Sequence, residues 1–176
     1  MLVAGVSLWA ARIHVQMIDA ATFMLVTSAD ERAMTWIGTN TPSDAKFLIN
    51  GALAYGGVGV VGTDAGWWIP ILAGRENTIP PLTYVSETPF SPDYARQVHD
   101  LMVQLQATDL AAPEGLALLK QNGITHIYIG QQEGRIWNPG PSLLSAESLA
   151  NVPYYEPVYH EDRVWVFEVR ADLVEE

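Results

Sequence analysis

The spacing of apolar residues predicts alternating helices and strands over most of the chain. The clearest helix begins at residues 91–93 (SPD), where a capping serine, a proline and an acid precede apolar positions that repeat at helical intervals through Leu105. A second helix begins at Pro113 and ends at residues 122–123 (NG), a favourable C-terminal cap. Residues 125–130 (THIYIG) follow directly and predict a strand. A helix, a glycine turn and a strand in that order are typical of the αβ units that build parallel sheets.

The N-terminal half shows weaker versions of the same alternation. Ser28 and Glu31 have the spacing of a capping box, and the helix they predict must end before Pro42. Residues 47–49 (FLI) predict a buried strand, and residues 58–61 predict another. We interpret the glycine-rich residues 50–59 between them as a flexible connection, and residues 82–85 (LTYV) as a short strand or extended edge.

The C-terminal pattern predicts a hairpin. Residues 154–159 and 163–169 are strand-like on either side of a polar turn, and the second of these segments is almost entirely apolar. Taken together, the elements predict an α/β fold in a single domain. Its sheet is expected to be small, mainly parallel and Rossmann-like, with a C-terminal antiparallel hairpin and flanking helices.

Composition narrows the classes of function. Of the 176 residues, 49% are hydrophobic and only 16% are charged, whereas about a quarter would be charged in an average soluble domain. This favours a domain that buries surface against a partner, a second subunit or a membrane-embedded region. The net charge of −11 repels phosphate backbones, so we expect no nucleic-acid partner.

Several kinds of catalytic and cofactor site are not indicated. The chain has no cysteine, and its four histidines lack metal-binding spacing, so we expect no metal site. Residues 57–62 match GxGxxG, but the β-branched residues lie inside the motif and no helix is predicted to open at its end, so we expect no nucleotide cofactor. Adjacent acids at a helix start and in the hairpin turn are typical of solvated positions, and we assign no catalytic residue.

The N-terminal residues 1–27 form a separate apolar segment ahead of the α/β domain at residues 28–176. Residues 1–11 (MLVAGVSLWAA) are apolar, but eleven residues are too few to cross a bilayer as a helix, which needs about 20. Two interpretations remain open: a buried first helix, or the trailing end of a transmembrane helix.

The candidate site lies in residues 60–81 (VVGTDAGWWIPILAGRENTIPP). Adjacent tryptophans on a helix or strand point in different directions, so one indole should be left at the surface as a stacking plane. We predict ligand-binding roles for a polar and aromatic cluster in this segment: Asp64, Trp67, Trp68, Arg75 and Glu76. Two other interpretations stay open, namely that the tryptophans form a docking face for protein and that Asp64 caps a short helix.

Three segments resemble a known family. Residues 27–50, 60–81 and 123–130 are similar to the soluble C-terminal region of bacterial polytopic membrane proteins of the glycosyltransferase-C type, which are relatives of dolichyl-phosphate-mannose-dependent mannosyltransferases. The positions that match the motifs of that family are Trp36, Ile37, Thr41, Pro42, Asp64, Gly66, Trp68, Pro70, Gly74, Arg75 and residues 123–129.

The resemblance implies a membrane-associated domain on the extracytoplasmic face. Residues 1–11 would then be the end of the last transmembrane helix, and the partner would be the transmembrane portion of the same parent chain. Catalysis in that family uses an acid near the first transmembrane helices, so we expect this domain to be non-catalytic alone. It would cover the membrane site and help to hold the acceptor or lipid-linked sugar at the five-residue cluster. The alternatives are a self-contained carbohydrate- or protein-binding module, and a soluble hydrolase or transferase.

Overall fold

A computed structural model describes residues 2–17, 23–88, 91–138 and 140–170. The α-helices in these ranges are Leu2–Met17 (α1), Ser28–Asn40 (α2), Ile69–Leu72 (α3), Tyr94–Ala107 (α4), Pro113–Gln121 (α5) and Ala146–Leu149 (α6). The strands are Lys46–Ile49 (β1), Gly51–Ala54 (β2), Gly59–Gly62 (β3), Glu76–Asn77 (β4), His126–Ile129 (β5), Tyr155–Glu161 (β6) and Val164–Val169 (β7). Short 3₁₀ helices occupy Tyr55–Gly57, Ala65–Trp68 and Leu82–Val85.

The main sheet has five strands in the order β4-β1-β5-β7-β6. Strands β4 and β5 both run parallel to β1, with Phe47 opposite His126. Strand β7 then runs antiparallel to β5, and β6 completes the C-terminal hairpin. The sheet is therefore mixed, with its parallel strands at one end, and the predicted α/β fold is confirmed.

Both faces of the sheet are covered, because successive residues of each strand point to opposite sides. On one face, Phe47 and Tyr128 pack with the apolar side of α2, including Met34. On the other face, Leu48 and Ile127 pack in a second cluster with residues of α5. The central strands are rich in apolar residues because most of their positions on both faces are buried.

Strands β2 and β3 form a separate antiparallel hairpin, so the prediction of a flexible connection over residues 50–59 is wrong. A Cβ atom at Gly51 would lie 2.1 Å from Ile79 Cδ1, so this glycine serves close packing. The turn follows at Gly56 and Gly57, which have φ values of 69° and 88°. Residues 57–62 therefore lie in a hairpin turn and a strand.

Two local predictions need correction. The capping box lies one residue earlier than expected: Thr27 is the N-cap of α2, and the Asp30 carboxylate accepts a hydrogen bond from the Thr27 backbone at 2.8 Å. Residues 82–85 form a 3₁₀ helix, which brings the Tyr84 hydroxyl within 2.9 Å of the Val60 amide. In the first case an alternative cap one residue earlier replaced the expected one, and in the second a tertiary hydrogen bond accompanies the change from strand to 3₁₀ helix.

The apolar N-terminal segment includes α1, on which Val6 and Trp9 are well exposed. Among the described residues, no helix is both long enough and apolar enough to cross a bilayer.

Candidate functional site

The double tryptophan lies in a short helical segment that follows β3. Asp64 is the N-cap of the 3₁₀ helix Ala65–Trp68, which leads directly into α3. Trp67 is half-buried and donates its indole N–H to the carbonyl of Pro80 at 2.9 Å, whereas Trp68 keeps 41% of its surface exposed. The Trp67 indole therefore packs inward and is held by a hydrogen bond, while the Trp68 indole faces outward, as expected for adjacent residues whose side chains point in different directions.

These indoles form one side of an open apolar groove of about 240 Å³, which we call the apolar groove. Three side chains on it are strongly exposed for their size: Ile71 at 70%, Trp137 at 55% and Trp68 at 41%. Single exposed apolar residues are common, but a contiguous group of this kind marks an interaction surface. The residues that line the groove are Leu25, Trp67, Trp68, Ile71, Pro81, Leu82 and Trp137.

Asp64 does not face the apolar groove. Its carboxylate is completely buried and accepts hydrogen bonds from the Asn50 amide at 3.0 Å, the Gly66 backbone at 3.0 Å and the Gly130 backbone at 3.1 Å. Burial raises the pKa of Asp64 to about 6, and the charge of Asp30 adds to the rise, while the three hydrogen bonds oppose it. Asp64 thus joins the loops that follow β1, β3 and β5.

A second buried carboxylate, that of Asp30, lies beside Asp64. It accepts hydrogen bonds from the Tyr128 hydroxyl at 2.7 Å and from the backbone of Gln131 at 3.0 Å. A Cβ atom at Gly130 would lie 3.1 Å from Asp30 Oδ1 and 3.3 Å from Asp64 Cβ, so the two acids approach this glycine from either side. This buried carboxylate pair sits at the carboxyl ends of β1 and β5, where open α/β sheets commonly place their ligand sites. Its oxygens are nevertheless committed to internal donors.

Arg75 and Glu76 lie apart from the tryptophans. The Arg75 guanidinium donates to the carbonyls of Gly38 at 3.0 Å and of Thr41 at 2.8 Å, so it caps the C-terminal end of α2. Glu76 is exposed on the edge strand β4. Both residues line another cavity, of about 480 Å³, together with Lys46.

The five residues predicted as a ligand cluster therefore occupy three places. Trp67 and Trp68 share the apolar groove, Arg75 and Glu76 share the cavity beside β4, and Asp64 is inside the fold. In the described ranges, no three histidine, aspartate or glutamate side chains come together as metal ligands do.

Sequence reasoning did not identify Trp137, Asn50 or Asp30 as neighbours of this region. For Trp137 the sequence offered one signal, because a tryptophan in a polar loop is unusual. The structure adds a second unusual feature, since its φ of 53° is uncommon for a bulky residue. Asn50 and Asp30 carried no comparable signal. Their proximity to Asp64 depends on how the strands are ordered in the sheet.

The fold defines the class of protein as an α/β domain with both faces of its sheet covered and an apolar groove on its surface. Comparison with protein-family models gives no match to this chain, and comparison with curated proteins gives none either.

Proposed function

We propose that this chain is the extracytoplasmic domain of a membrane glycosyltransferase-like protein, and that it covers the membrane-embedded site of its parent protein. The observation that carries the proposal is the apolar groove, whose described lining residues are tryptophan, aliphatic and proline side chains with no charged residue among them. The resemblance of residues 27–50, 60–81 and 123–130 to glycosyltransferase-C proteins indicates the partner, namely the transmembrane portion of the same parent chain.

The chemistry of the groove suits the boundary between water and a bilayer. Trp68 and Trp137 are exposed, and an indole combines a large apolar ring with an N–H donor, which is why tryptophan concentrates at membrane interfaces. Complete burial of a side chain such as Ile71 contributes roughly 1.5–3 kcal/mol. A few such residues are enough to hold a domain that is already tethered by its own chain.

Charge supports an apolar mode of docking. The chain has a net charge of −11, so anionic head groups repel it as a whole. Adhesion to a membrane surface must then come from apolar contact, and it should be stronger for neutral lipid than for anionic lipid at low salt.

Co-sedimentation with phosphatidylcholine vesicles tests the docking face. We expect the chain to bind these vesicles, and Ile71→Asp to reduce the partition coefficient about tenfold or more because a charge would enter the buried contact. Val103→Asp is the matched control, because Val103 is 42% exposed on α4 and lies outside the groove. Equal binding by both variants, or no binding by the unmodified chain, contradicts the docking proposal.

A second measurement addresses catalysis. Incubation of the chain with a radiolabelled polyprenyl-phosphate sugar and simple glycoside acceptors should give no transfer, because in the proposed arrangement the reacting groups belong to the membrane-embedded region. Turnover by this chain alone would replace the proposal with that of a self-sufficient transferase.

A further inference from the structure

The outer edge of β2 leaves backbone groups open to a cavity. Thr63 donates its N–H to the Asn50 carbonyl at 3.1 Å, and the register pairs Gly51 with Gly62 and Leu53 with Val60. Hydrogen-bonded and non-hydrogen-bonded pairs alternate along an antiparallel ladder, so the N–H and C=O groups of Gly51 and Leu53 point away from β3. The Val60 amide confirms this alternation, because Val60 is the partner of Leu53 and its N–H points away from β2, to the Tyr84 hydroxyl.

This edge forms the floor of a cavity of about 580 Å³, which we call the β2 cavity. One wall is the end of α4 with Gln106 and Thr108, and the other is formed by residues 137–138 and 140–143. The volume is within the range of small-molecule sites. Outside the hairpin, neither Gly51 nor Leu53 forms a hydrogen bond to another described residue.

The described polar side chains that line the β2 cavity are few and uncharged, and most of its other lining residues are apolar. Thr108 and Ser142 donate their hydroxyl protons to the carbonyls of Gln104 and Glu133, which leaves their oxygens able to accept. The Gln106 amide is exposed and can both donate and accept. None of the described residues that line the cavity carries a charge, in a chain whose net charge is −11. A charged ligand would find no counter-charge here, and a purely apolar ligand would leave the backbone edge unpaired.

Trp137 stands at the mouth of the β2 cavity, where it also borders the apolar groove. Its backbone lies in the left-handed region, with a φ of 53°, which costs a bulky residue about 1–2 kcal/mol. The preceding residue, Ile136, is anchored by its N–H to the Thr63 carbonyl at 3.0 Å. The segment therefore holds an indole in an exposed position at some energetic cost, and 55% of that side chain remains open.

We propose that the β2 cavity binds a neutral sugar unit, with one face of the ring against the Trp137 indole and its hydroxyls bonded to Gln106 and to the backbone edge of β2. A sugar ring offers apolar C–H faces to an aromatic plane and many uncharged donors and acceptors at its perimeter, which matches the groups found here. The cavity is formed within this chain, so the inference does not rest on docking to a membrane.

Saturation-transfer NMR on the chain tests this site with methyl glycosides of glucose, mannose, galactose and N-acetylglucosamine. We expect at least one of these probes to bind with a Kd of about 1–10 mM, as is reasonable for a single small contact. Glucuronate and glucosamine should bind more weakly than the neutral probes, because a charge enters a cavity without an opposite charge.

Variants locate the binding. Trp137→Ala should weaken it about tenfold, Trp137→Phe should restore part of the loss, and Gln106→Ala should weaken it by a smaller factor. Trp68→Ala is the matched control, since Trp68 is also an exposed indole but lines only the apolar groove. Circular dichroism of each variant checks that the fold is retained.

Three outcomes overturn the inference. One is the absence of binding by any neutral glycoside at about 50 mM, and another is equal binding by Trp137→Ala. The third is binding only by a blocked peptide of alternating threonine and valine, which would show that the open edge of β2 accepts an added strand. The vesicle and glycoside experiments use different ligands and variants, so either proposal can fail while the other stands.

Discussion

The buried carboxyl of Asp64 makes the stability of this protein depend on pH in an unusual direction. Its pKa rises from the ordinary value of 3.8 to about 6 because the group is fully removed from water, despite three donors that favour the charged form. The folded chain therefore holds a proton on Asp64 more tightly than the unfolded chain does. The resulting stability is fully present below pH 3.8 and is lost as the pH rises through 6.

The magnitude follows from the difference between the two states. Each pH unit of pKa difference corresponds to about 1.36 kcal/mol, so Asp64 should reduce the free energy of unfolding by about 3 kcal/mol between roughly pH 4 and pH 7. A typical domain has only about 5–15 kcal/mol of stability in total. The loss is therefore large enough to measure.

Urea unfolding of the unmodified chain and of Asp64→Asn, at half-unit steps across roughly pH 4 to 8, isolates this contribution. Asparagine does not titrate, so the other ionisable groups largely cancel in the difference between the two curves. The asparagine NH₂ group also lies near one of the three N–H donors, which should lower the stability of the variant by an amount that does not depend on pH. The stability of the unmodified chain relative to the variant should fall as the pH rises. A difference that stays level or increases with pH would show that the desolvation argument is wrong.

Two further substitutions test the packing and capping described above. Gly66→Ala should lower the free energy of unfolding by about 1–3 kcal/mol, because the added Cβ would lie 2.7 Å from Ile49 Cγ2. Gly38→Ala is the control, since a Cβ at Gly38 would meet nothing closer than 3.5 Å. Arg75→Lys should cost about 1–2 kcal/mol, because an ammonium group cannot reproduce the guanidinium contacts to the end of α2, and it should speed amide hydrogen exchange there. Arg96→Lys, in an exposed ion pair, should change stability little, and equal losses from both arginines would argue against the capping role.

Much of the local structure could be predicted because its signals are contained in short stretches. Helix α5, its Asn122 and Gly123 cap and strand β5 form one continuous pattern, and the structure places them as expected. Helix α4 was likewise predicted from its repeat, which buries Val98 and Met102, but its predicted start at Ser91 and Pro92 is wrong: the helix begins at Tyr94, and its N-cap Asp93 makes no side-chain capping bond.

Of the β2–β3 hairpin, only β3 was predicted, from residues 58–61; strand β2 and its pairing with β3 were not. Gly51 is required because Ile79 and Met102 press against it, and those contacts come from distant parts of the chain. A strand of glycine and alanine has little intrinsic preference for extended structure, so its formation depends on the surface that covers it.

The sequence alone determined the order and type of most elements, the acidic charge and the placement of one tryptophan of a pair at the surface. Periodicity, caps and adjacent positions along a helix are all local properties. Only the tertiary structure decided that Asp64 is buried in the fold, that Arg75 hydrogen-bonds to the C-terminal end of α2 and that Trp137 lines the same groove as Trp68. Those relations depend on which strands become neighbours and on which loops their ends bring together, and the global balance of burial and hydrogen bonding sets both.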